Sequence, residues 1–186
     1  MTTHIVTLTA PQIEARQAQI VAVYRSAFTP LPYNKPEAEI VEFAGSFLNQ
    51  FDRHAYRFVA ALEHSSDRLV GFAYGYSSRA GLWWYEHASR MLPELAGTSW
   101  LEDSFQLVEI ALLLEFQGQG FGGRMHDHLL AGVPHPRAIL ATLHADTVAF
   151  RLYRSRGWVV LGENLLFPGI PRRYQVMGLE LSTGRD

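Results

Sequence analysis

The alternation of apolar and polar positions predicts strands and helices in turn through the second half of the chain. Residues 105–114 (FQLVEIALLL) form a near-continuous apolar run, which is typical of a strand covered on both faces. A second buried strand is predicted at 137–145, and helices are predicted at about 121–132 and 147–157. Because a helix joins strands 105–114 and 137–145, we expect these two strands to be parallel.

The first half of the chain predicts a short strand, helices and a hairpin. Residues 4–8 alternate like a strand, and apolar positions then recur at helical spacing over 11–28 and about 36–52. The segment between them, 29–36 (TPLPYNKP), carries three prolines and is predicted to be a loop. Residues 56–78 read as two strands on either side of a polar turn, which indicates an antiparallel hairpin.

The remaining segments complete the predicted fold class. Residues 79–103 form an aromatic-rich insert with one short helix near 86–92, and two final strands at 158–163 and 173–182 are expected to be antiparallel. The fold class is therefore α/β (α+β), with a mixed, mostly antiparallel central sheet, one parallel and splayed strand pair, and flanking helices. We find no repeat or linker, so residues 1–186 are predicted to form a single domain.

Composition excludes several classes of function. The chain is 48% apolar and 18% charged with a net charge of −2, which gives no electrostatic footprint for nucleic acid or an anionic membrane. There are no cysteines, so disulfides, thiolate metal sites and covalent cysteine intermediates are excluded. His126 and His128 are two residues apart on a predicted helix and do not make a metal site. We see no secretory signal and no apolar run of ~18 residues, so we expect a cytoplasmic protein without a membrane partner.

A glycine-rich turn, residues 117–123 (QGQGFGG), separates the strand 105–114 from the following helix. Unpaired amides and the positive end of the helix dipole make such a turn a binding site for anions, and glycines let a phosphate approach the backbone. The letters satisfy both G-x-G-x-x-G, from Gly118, and Q-x-x-G-x-G, from Gln117. The alternative is a turn that uses its glycines for geometry alone.

Two nucleotide-binding motifs fit this turn poorly. No Gly-Lys-Ser/Thr follows, which excludes a P-loop. A dinucleotide site needs its first glycine at the end of the strand and an acidic residue at the end of the next strand. Here residues 115–117 intervene, and Asp146 comes late. A dinucleotide-dependent oxidoreductase is nevertheless kept as an alternative.

The turn in this position resembles the acyl-CoA pyrophosphate loop of the GNAT acetyltransferase superfamily. A second segment, 145–163 (ADTVAFRLYRSRGWVVLGE), is similar to the helix that follows in that family. The element order also matches from about 11 to 182. The chain departs from the family pattern at three positions, where Leu114 replaces a common proline, Asp146 an asparagine and Trp158 a phenylalanine. We expect Asp146 still to cap the helix through its side-chain oxygen.

The resemblance implies acetyl-CoA as the cofactor and acetyl transfer to an amine by direct attack. It implies that the turn holds the pyrophosphate, that the end of the strand pairs with the pantetheine arm, and that the later helix completes the site. The predicted cofactor-binding residues are Ile110, Ala111, Leu112, Leu113, Leu114, Gln117, Gly118, Gln119, Gly120, Phe121, Gly122, Gly123, Arg124, Asp146, Ala149, Leu152 and Tyr153. For Arg124, a solvated surface position is the alternative.

Two side chains are candidates for the chemistry. Tyr153 matches the family's tyrosine that protonates the CoA sulfur, and its alternative is a helix-face tyrosine packed in the core. Glu109 is the only carboxylate inside the apolar run 105–114. A carboxylate in such a strand is hydrogen-bonded, exposed at a cleft or raised in pKa, and each of these suits a base that acts through water. A purely structural, paired Glu109 is the alternative.

The acceptor is expected to be a small-molecule or peptide amine that enters between the loop 29–36 and the insert. The candidate substrate-binding residues are Tyr33, Asn34, Trp83, Trp84 and Tyr85. The aromatic residues of the insert could instead form a local core. A non-catalytic CoA- or partner-binding domain on the same fold is a further alternative. We also consider a homodimer formed through the C-terminal strands or the insert.

Overall fold

The computed structural model describes residues 3–95 and 98–181. The strands are β1 (Thr3–Thr7), β2 (Arg57–Glu63), β3 (Leu69–Ser77), β4 (Ser104–Leu112), β5 (Arg137–Leu143), β6 (Val159–Leu166) and β7 (Arg173–Glu180). The helices are α1 (Ala10–Glu14), α2 (Gln17–Phe28), α3 (Glu37–Ser46), α4 (Trp83–Met91), α5 (Ser99–Glu102), α6 (Phe121–Leu130) and α7 (Val148–Ser155). Short 3-10 helices occupy Phe47–Gln50, Pro93–Leu95 and Leu114–Phe116.

The strands form a mixed sheet in the order β1-β2-β3-β4-β5-β7-β6. β4 and β5 are parallel, and Ser104–Gln106 pair with Arg137–Ile139. The pairings of β1 with β2, β2 with β3, β5 with β7 and β6 with β7 are antiparallel. These pairings confirm the predicted fold class, a mostly antiparallel sheet with one parallel pair and flanking helices.

The chain divides into two compact units. Among the described residues, the first unit comprises 3–75 and 109–132, and the second comprises 76–95, 98–108 and 133–181. The single domain expected from the sequence remains a prediction. No helix among the described residues is long and apolar enough to cross a membrane.

The core of the first unit is built largely from aromatic rings. The rings of Tyr24 in α2 and Phe43 in α3 stack with centroids 3.7 Å apart. Phe43 also stacks on Phe72 of β3, which in turn stacks on Phe58 of β2. The two helices therefore cover one face of the β2–β3 hairpin through their apolar sides, as the helical spacing of these positions predicts.

Two predicted helices of the first unit are shorter than expected. The single helix predicted over 11–28 is broken between Glu14 and Gln17, because Arg16 has a non-helical backbone and its guanidinium pairs with Asp67. The spacing of apolar positions continues across this break, so the pattern did not reveal it. The helix predicted to about residue 52 ends at Ser46 and continues as a 3-10 helix.

The insert of the second unit is more regular than predicted. It holds α4 and α5, and α4 begins at Trp83 rather than near residue 86. The buried residues of this core are Tyr85, Ala88, Leu92, Leu95, Leu101, Ile139 and Val176. Trp100 packs across β7 at Gly178, where an added Cβ would lie 2.5 Å from the indole. The insert is therefore part of the core of its unit.

The predicted elements around the glycine turn differ mainly at their ends. β4 stops at Leu112 instead of residue 114, because the chain turns into a 3-10 helix at Leu114. β5 stops at Leu143, α6 stops at Leu130, and α7 runs over Val148–Ser155. The two last strands are present and antiparallel, and β6 extends to Leu166.

Candidate active site

Glu109 lies in β4 and belongs to the first unit. Its side chain is 21% exposed, and its Oε1 atom lies 3.9 Å from Nζ of Lys35. Burial raises the pKa of Glu109, and the positive charge of Lys35 opposes that rise. The net effect is a carboxyl group that holds its proton more tightly than an ordinary glutamate, so its carboxylate is the stronger base.

Lys35 occupies an aromatic cage beside this carboxyl group. Its side chain is 12% exposed, and Nζ lies 4.6 Å from the ring centroid of Tyr24 and 4.4 Å from that of Phe28. Nζ also donates a hydrogen bond to the hydroxyl of Tyr24. These contacts favour a cation at this point, because ring faces and hydroxyl oxygens attract positive charge. Lys35 and its aromatic cage were not among the site residues predicted from the sequence.

The two acceptor residues predicted in the loop 29–36 adjoin the cage. Tyr33 packs its ring edge-on against Phe28, with centroids 4.9 Å apart. Asn34 is exposed and has a positive φ of 47°. Its backbone N–H donates a hydrogen bond to the carbonyl of Pro30 at 3.0 Å. The loop therefore presents Tyr33 and Asn34 next to the side chain that contacts Glu109.

The glycine turn is open on its outer side. Gly118 and Gly120 have φ values of 71° and 82°, and no atom lies within 4 Å of the position that a Cβ would take in either residue. The side-chain amides of Gln117 and Gln119 fold back onto the carbonyls of Leu112 and Glu115. The glycines are thus needed for the backbone conformation, while packing would tolerate a larger group.

α6 begins directly after this turn, with Gly120 as its N-cap. The first amides of a helix have no partner within the helix, and they point away from its N-terminus. Phe121 and Gly123 are buried on the inner side, and Gly122 is partly exposed. Open space in front of a helix N-terminus without an acidic residue in its first turn fits a phosphate group.

The end of β4 is only partly free to pair with a ligand. The amide of Leu113 donates to the carbonyl of Val70 at 2.9 Å, so this N–H already has a partner within the protein. The pairing of residues 110–114 with the pantetheine arm stays a prediction. Ala111 and Leu112 are buried, Ile110 is half-buried, and Leu114 is exposed within its 3-10 helix. Ile110 to Leu112 therefore remain as the strand segment that could pair with an extended ligand.

Arg124 is held by contacts within the first unit, and its predicted contact with a phosphate stays a prediction. One guanidinium nitrogen donates to the carbonyl of Thr3 at 3.1 Å, and the guanidinium lies over the ring of Phe121. The side chain is exposed, but it ties the first turn of α6 to β1.

Tyr153 lies on α7 in the second unit. The residue is buried, and its ring centroid is 5.7 Å from that of Trp158. Ala149, one turn before it, and Leu152, directly before it, are half-buried. Ala149 and Tyr153 are four residues apart and therefore share one side of the helix.

The expected cap of this helix by Asp146 is wrong. Thr147 is the N-cap, and its hydroxyl accepts a hydrogen bond from the amide of Phe150 at 3.0 Å. Asp146 lies one residue earlier and pairs its Oδ2 with Arg151 at 2.9 Å. Threonine, like aspartate, is a preferred N-cap residue, because its side-chain oxygen can accept a hydrogen bond from an unpaired amide of the first turn.

The aromatic residues predicted to meet the acceptor separate into two groups. Trp83 is 51% exposed, and its ring lies 4.3 Å from that of His87 and 5.9 Å from that of Phe167. Trp84 packs against the core of the second unit, and Tyr85 belongs to it. The Tyr85 hydroxyl donates to Glu102, and this hydrogen bond raises the pKa of Tyr85 to about 12.

Comparison with known proteins finds acetyltransferases that are similar in sequence or in fold. No protein-family model matches the chain. A GCN5-like protein acetyltransferase, Rv2170 of Mycobacterium tuberculosis, is 32% identical over 130 residues, which cover 66% of this chain and 63% of the relative. The match thus spans less than two thirds of that relative's length.

Solved structures agree with this relative. A GNAT-family protein from Desulfovibrio desulfuricans has a TM-score of 0.66 at 17% identity and covers 96% of this chain and 99% of its own. The PaiA N-acetyltransferase of Thermoplasma acidophilum, in complex with coenzyme A, has a TM-score of 0.61 at 13% identity, with coverage of 97% and 100%. The chain therefore has the fold of GNAT acetyltransferases, and part of its sequence is similar to one of them.

The second unit also contains a Ser–His–Asp arrangement. The Oγ atom of Ser77 lies 2.8 Å from Nε2 of His135, and Nδ1 of His135 lies 2.7 Å from Oδ1 of Asp103. In hydrolytic triads the aspartate is buried and the serine meets the substrate. Here Ser77 is 5% exposed, whereas the Asp103 side chain is 56% exposed. We therefore interpret the arrangement as a tie between strand ends.

The histidines of the first unit also have individual partners. His126 contacts the carboxylate of Asp127 at 2.8 Å, and His128 contacts the hydroxyl of Thr7 at 3.2 Å. Across residues 3–95 and 98–181, no three His, Asp or Glu side chains come together in a way that could hold a metal ion.

Proposed function

We propose that this protein transfers an acetyl group from acetyl-CoA to an amine. The observation that carries the proposal is the open glycine turn, which follows the strand that holds Glu109 after a short 3-10 helix. One continuous segment of the chain thus supplies both an anion site and a candidate base. The fold shared with GNAT acetyltransferases, and the similarity to a relative that is named a protein acetyltransferase, support the same activity.

The residues of the turn fit the pyrophosphate of CoA. The backbone of Gln117 to Gly123 would hold the phosphates at the start of α6, and Ile110 to Leu112 would pair with the pantetheine arm. Gly118 and Gly120 leave room for this group, because nothing fills the space in front of them. The family resemblance also implies cofactor contacts for Asp146, Ala149 and Leu152, and these stay predictions. Bound acetyl-CoA supplies a thioester, the electrophile of the reaction.

Glu109 is proposed to take the proton of the acceptor amine through a water molecule. Its raised pKa makes the carboxylate a stronger base than an exposed glutamate. The positive charge of Lys35 opposes that rise. The base is therefore tuned by two opposing effects, burial and a single neighbouring charge.

Tyr153 is proposed to hold, at Oη, the proton that the departing sulfur needs. A phenol has an ordinary pKa of about 10 and is close in acidity to an alkyl thiol. The residue is buried on α7, one turn after the half-buried Ala149. The family resemblance puts the acid at this position of the helix.

The acceptor is proposed to be a small-molecule or peptide amine. Tyr33 and Asn34 adjoin the lysine that contacts the base, and Trp83 presents a half-exposed ring beside His87. Leu166–Pro171, next to Trp83 through Phe167, line an open apolar pocket. Such surfaces favour an amine that carries an apolar or planar group.

Calorimetric titration with acetyl-CoA, with NADH titrated in parallel, tests the proposal. We expect micromolar binding of acetyl-CoA and no binding of NADH, followed by acetylation within a panel of small amines and peptides. Binding of NADH alone would favour an oxidoreductase. Tight acetyl-CoA binding without turnover on any amine would favour a non-catalytic CoA-binding domain.

A further inference from the structure

We propose that Lys35 is itself an acyl acceptor and that the protein acylates its own Lys35 amine. The inference rests on the proposed function, because it requires a bound acyl thioester. It goes further in naming an internal substrate, a primary alkyl amine held beside the candidate base.

The sequence sets Lys35 apart from every other cationic side chain. The chain contains 16 lysine and arginine residues, of which Lys35 is the only lysine. An arginine in a protein remains protonated and is a poor nucleophile, whereas a lysine amine can lose its proton and attack a carbonyl carbon. The only amine side chain of the protein therefore lies next to Glu109, the candidate base.

The direction of the side chain is the second observation. The loop neighbours Asn34 and Pro36 are exposed, so the backbone of this segment runs over the surface. The Lys35 side chain turns inward from it and is largely buried. A lysine side chain ordinarily extends into water, because its ammonium is strongly hydrated. Here the amine has exchanged most of that water for specific contacts.

Those contacts are the ones that an amine substrate needs. Tyr24 and Phe28 stabilise the ammonium through their ring faces, and Tyr24 also accepts a hydrogen bond from it. Glu109, at 3.9 Å, is within reach of a proton transfer through one water molecule. Lys35 thus occupies a recognition site for a primary alkylammonium group next to the base.

The proposed step balances as a simple aminolysis. Glu109 accepts a proton from the Lys35 ammonium, and the freed lone pair of Nζ forms a bond to the acyl carbon. The bond between that carbon and sulfur breaks, the amide nitrogen loses its second proton to solvent, and the thiolate takes up a proton. The products are an Nε-acyl-lysine and a free thiol, so no oxidant or further reactant is needed.

Acylation would change the site that performs it. The amide is neutral, so it removes the positive charge that opposes the effect of burial on Glu109. An amide is also a stable product, so each chain is modified once. Self-acylation would therefore mark the protein permanently and alter its base.

The test uses the full chain and detects, by mass, an acetyl group added to its only lysine side chain. Purified protein is incubated with acetyl-CoA, and peptide mapping then locates any added acetyl group, which separates Lys35 from the N-terminal amine. We expect one acetyl group at Lys35. Glu109→Gln keeps the shape of the side chain but removes the base, and we expect it to slow the modification by roughly 10²-fold or more.

Two variants control for simple chemical acetylation. Lys35→Arg retains a cation in the cage and should take no acetyl group at residue 35. Arg25→Lys puts a lysine on the exposed outer side of α2, where Arg25 pairs with Glu37. Modification at position 25 should be roughly 10²-fold slower than at Lys35. A lysine at position 25 would lie near the carboxylate of Glu37, but it would lack the aromatic cage and the buried carboxyl group of Glu109.

A second readout needs no cofactor. The apo protein is treated with N-hydroxysuccinimidyl acetate, and Glu109→Gln should slow labelling at Lys35 without changing labelling at position 25 in the Arg25→Lys background. Calorimetry separates the two proposals. Acetyl-CoA binding without acetylation of Lys35, or equal rates at positions 35 and 25, would overturn self-acylation and leave the proposed function standing. Absence of acetyl-CoA binding would overturn both.

Discussion

The Nζ atom of Lys35 lies 3.9 Å from Oε1 of Glu109, and both side chains are largely buried. This pair links the loop after α2 to the strand that leads into the glycine turn. Burial raises the pKa of Glu109 and the lysine charge lowers it, so the carboxyl group is balanced between two opposing effects. Changes to either residue should therefore show a characteristic dependence on pH.

Stability should fall with rising pH because of Glu109. The pKa of this carboxyl group is higher in the folded chain than its ordinary value of 4.5, so the folded state holds the proton more tightly. Its contribution is fully present below pH 4.5 and is lost as the pH rises through the raised pKa. Glu109→Gln cannot ionise and should lack this loss, so its stability relative to the parent should increase from pH 4 to pH 8.

Urea unfolding at several pH values measures this difference. Lys35→Met is the paired variant, because it removes the charge that lowers the pKa of Glu109 while keeping an unbranched apolar stem. The loss of stability with pH should become larger in Lys35→Met than in the parent. A constant difference between Glu109→Gln and the parent at all pH values would show that Glu109 titrates as it does in the unfolded chain.

A side chain added to the glycine turn should weaken cofactor binding by filling the proposed phosphate site, and not only by straining the backbone. Gly120 and Gly132 both have positive φ values, 82° and 67°, and both face open space. A leucine at either position costs about 1–2 kcal/mol of backbone strain. Only Gly120→Leu, however, puts a side chain into the proposed phosphate site.

Acetyl-CoA affinity should therefore drop by at least about tenfold, or 1.4 kcal/mol, in Gly120→Leu and remain close to the parent in Gly132→Leu. Calorimetry measures the affinity, and thermal unfolding confirms that both variants fold. Equal affinities in the two variants would mean that the glycines serve the turn geometry alone.

The elements around this turn could be predicted because their signals are local. The apolar run of β4, the glycines and the amphipathic helix α6 are all short-range patterns, and Gly157 closes α7 with a φ of 84° as its position suggested. The ends were less accurate, because apolar residues such as Leu113 and Leu114 continue after the strand has stopped. Sequence periodicity does not register where hydrogen-bond pairing ends.

The cage around Lys35 could not be predicted in the same way. Tyr24 and Phe28 fit the buried side of α2, and periodicity identifies them only as core residues. Their contact with Lys35 depends on the path of the loop, which is a tertiary property. The signal that was available is compositional, since a single lysine among 15 arginines is unusual.

The aromatic residues of the insert are a second example. Only packing separates Trp84 and Tyr85, which join the core, from the exposed Trp83.

The Ser77–His135–Asp103 arrangement should contribute to stability and not to hydrolysis. His135→Ala removes a partner of the buried Ser77 hydroxyl, which should cost roughly 1–3 kcal/mol of unfolding free energy. Asp103→Ala should cost less than about 1 kcal/mol, because that carboxylate is largely in water. Chemical unfolding measures both values. Covalent labelling of Ser77 by a fluorophosphonate would contradict the structural interpretation and indicate a reactive serine.

Tyr153 offers the most direct test of the proposed chemistry. Tyr153→Phe removes one hydroxyl and preserves the ring that packs near Trp158, so the fold and the cofactor site should persist. If the hydroxyl supplies the proton to the leaving sulfur, kcat should fall by roughly 10²–10⁴-fold while acetyl-CoA affinity changes little. Tyr74→Phe is the matched control, since Tyr74 is a buried tyrosine of β3 that stacks on Phe58. An unchanged kcat in Tyr153→Phe would assign this tyrosine to the core and leave protonation of the thiolate to water.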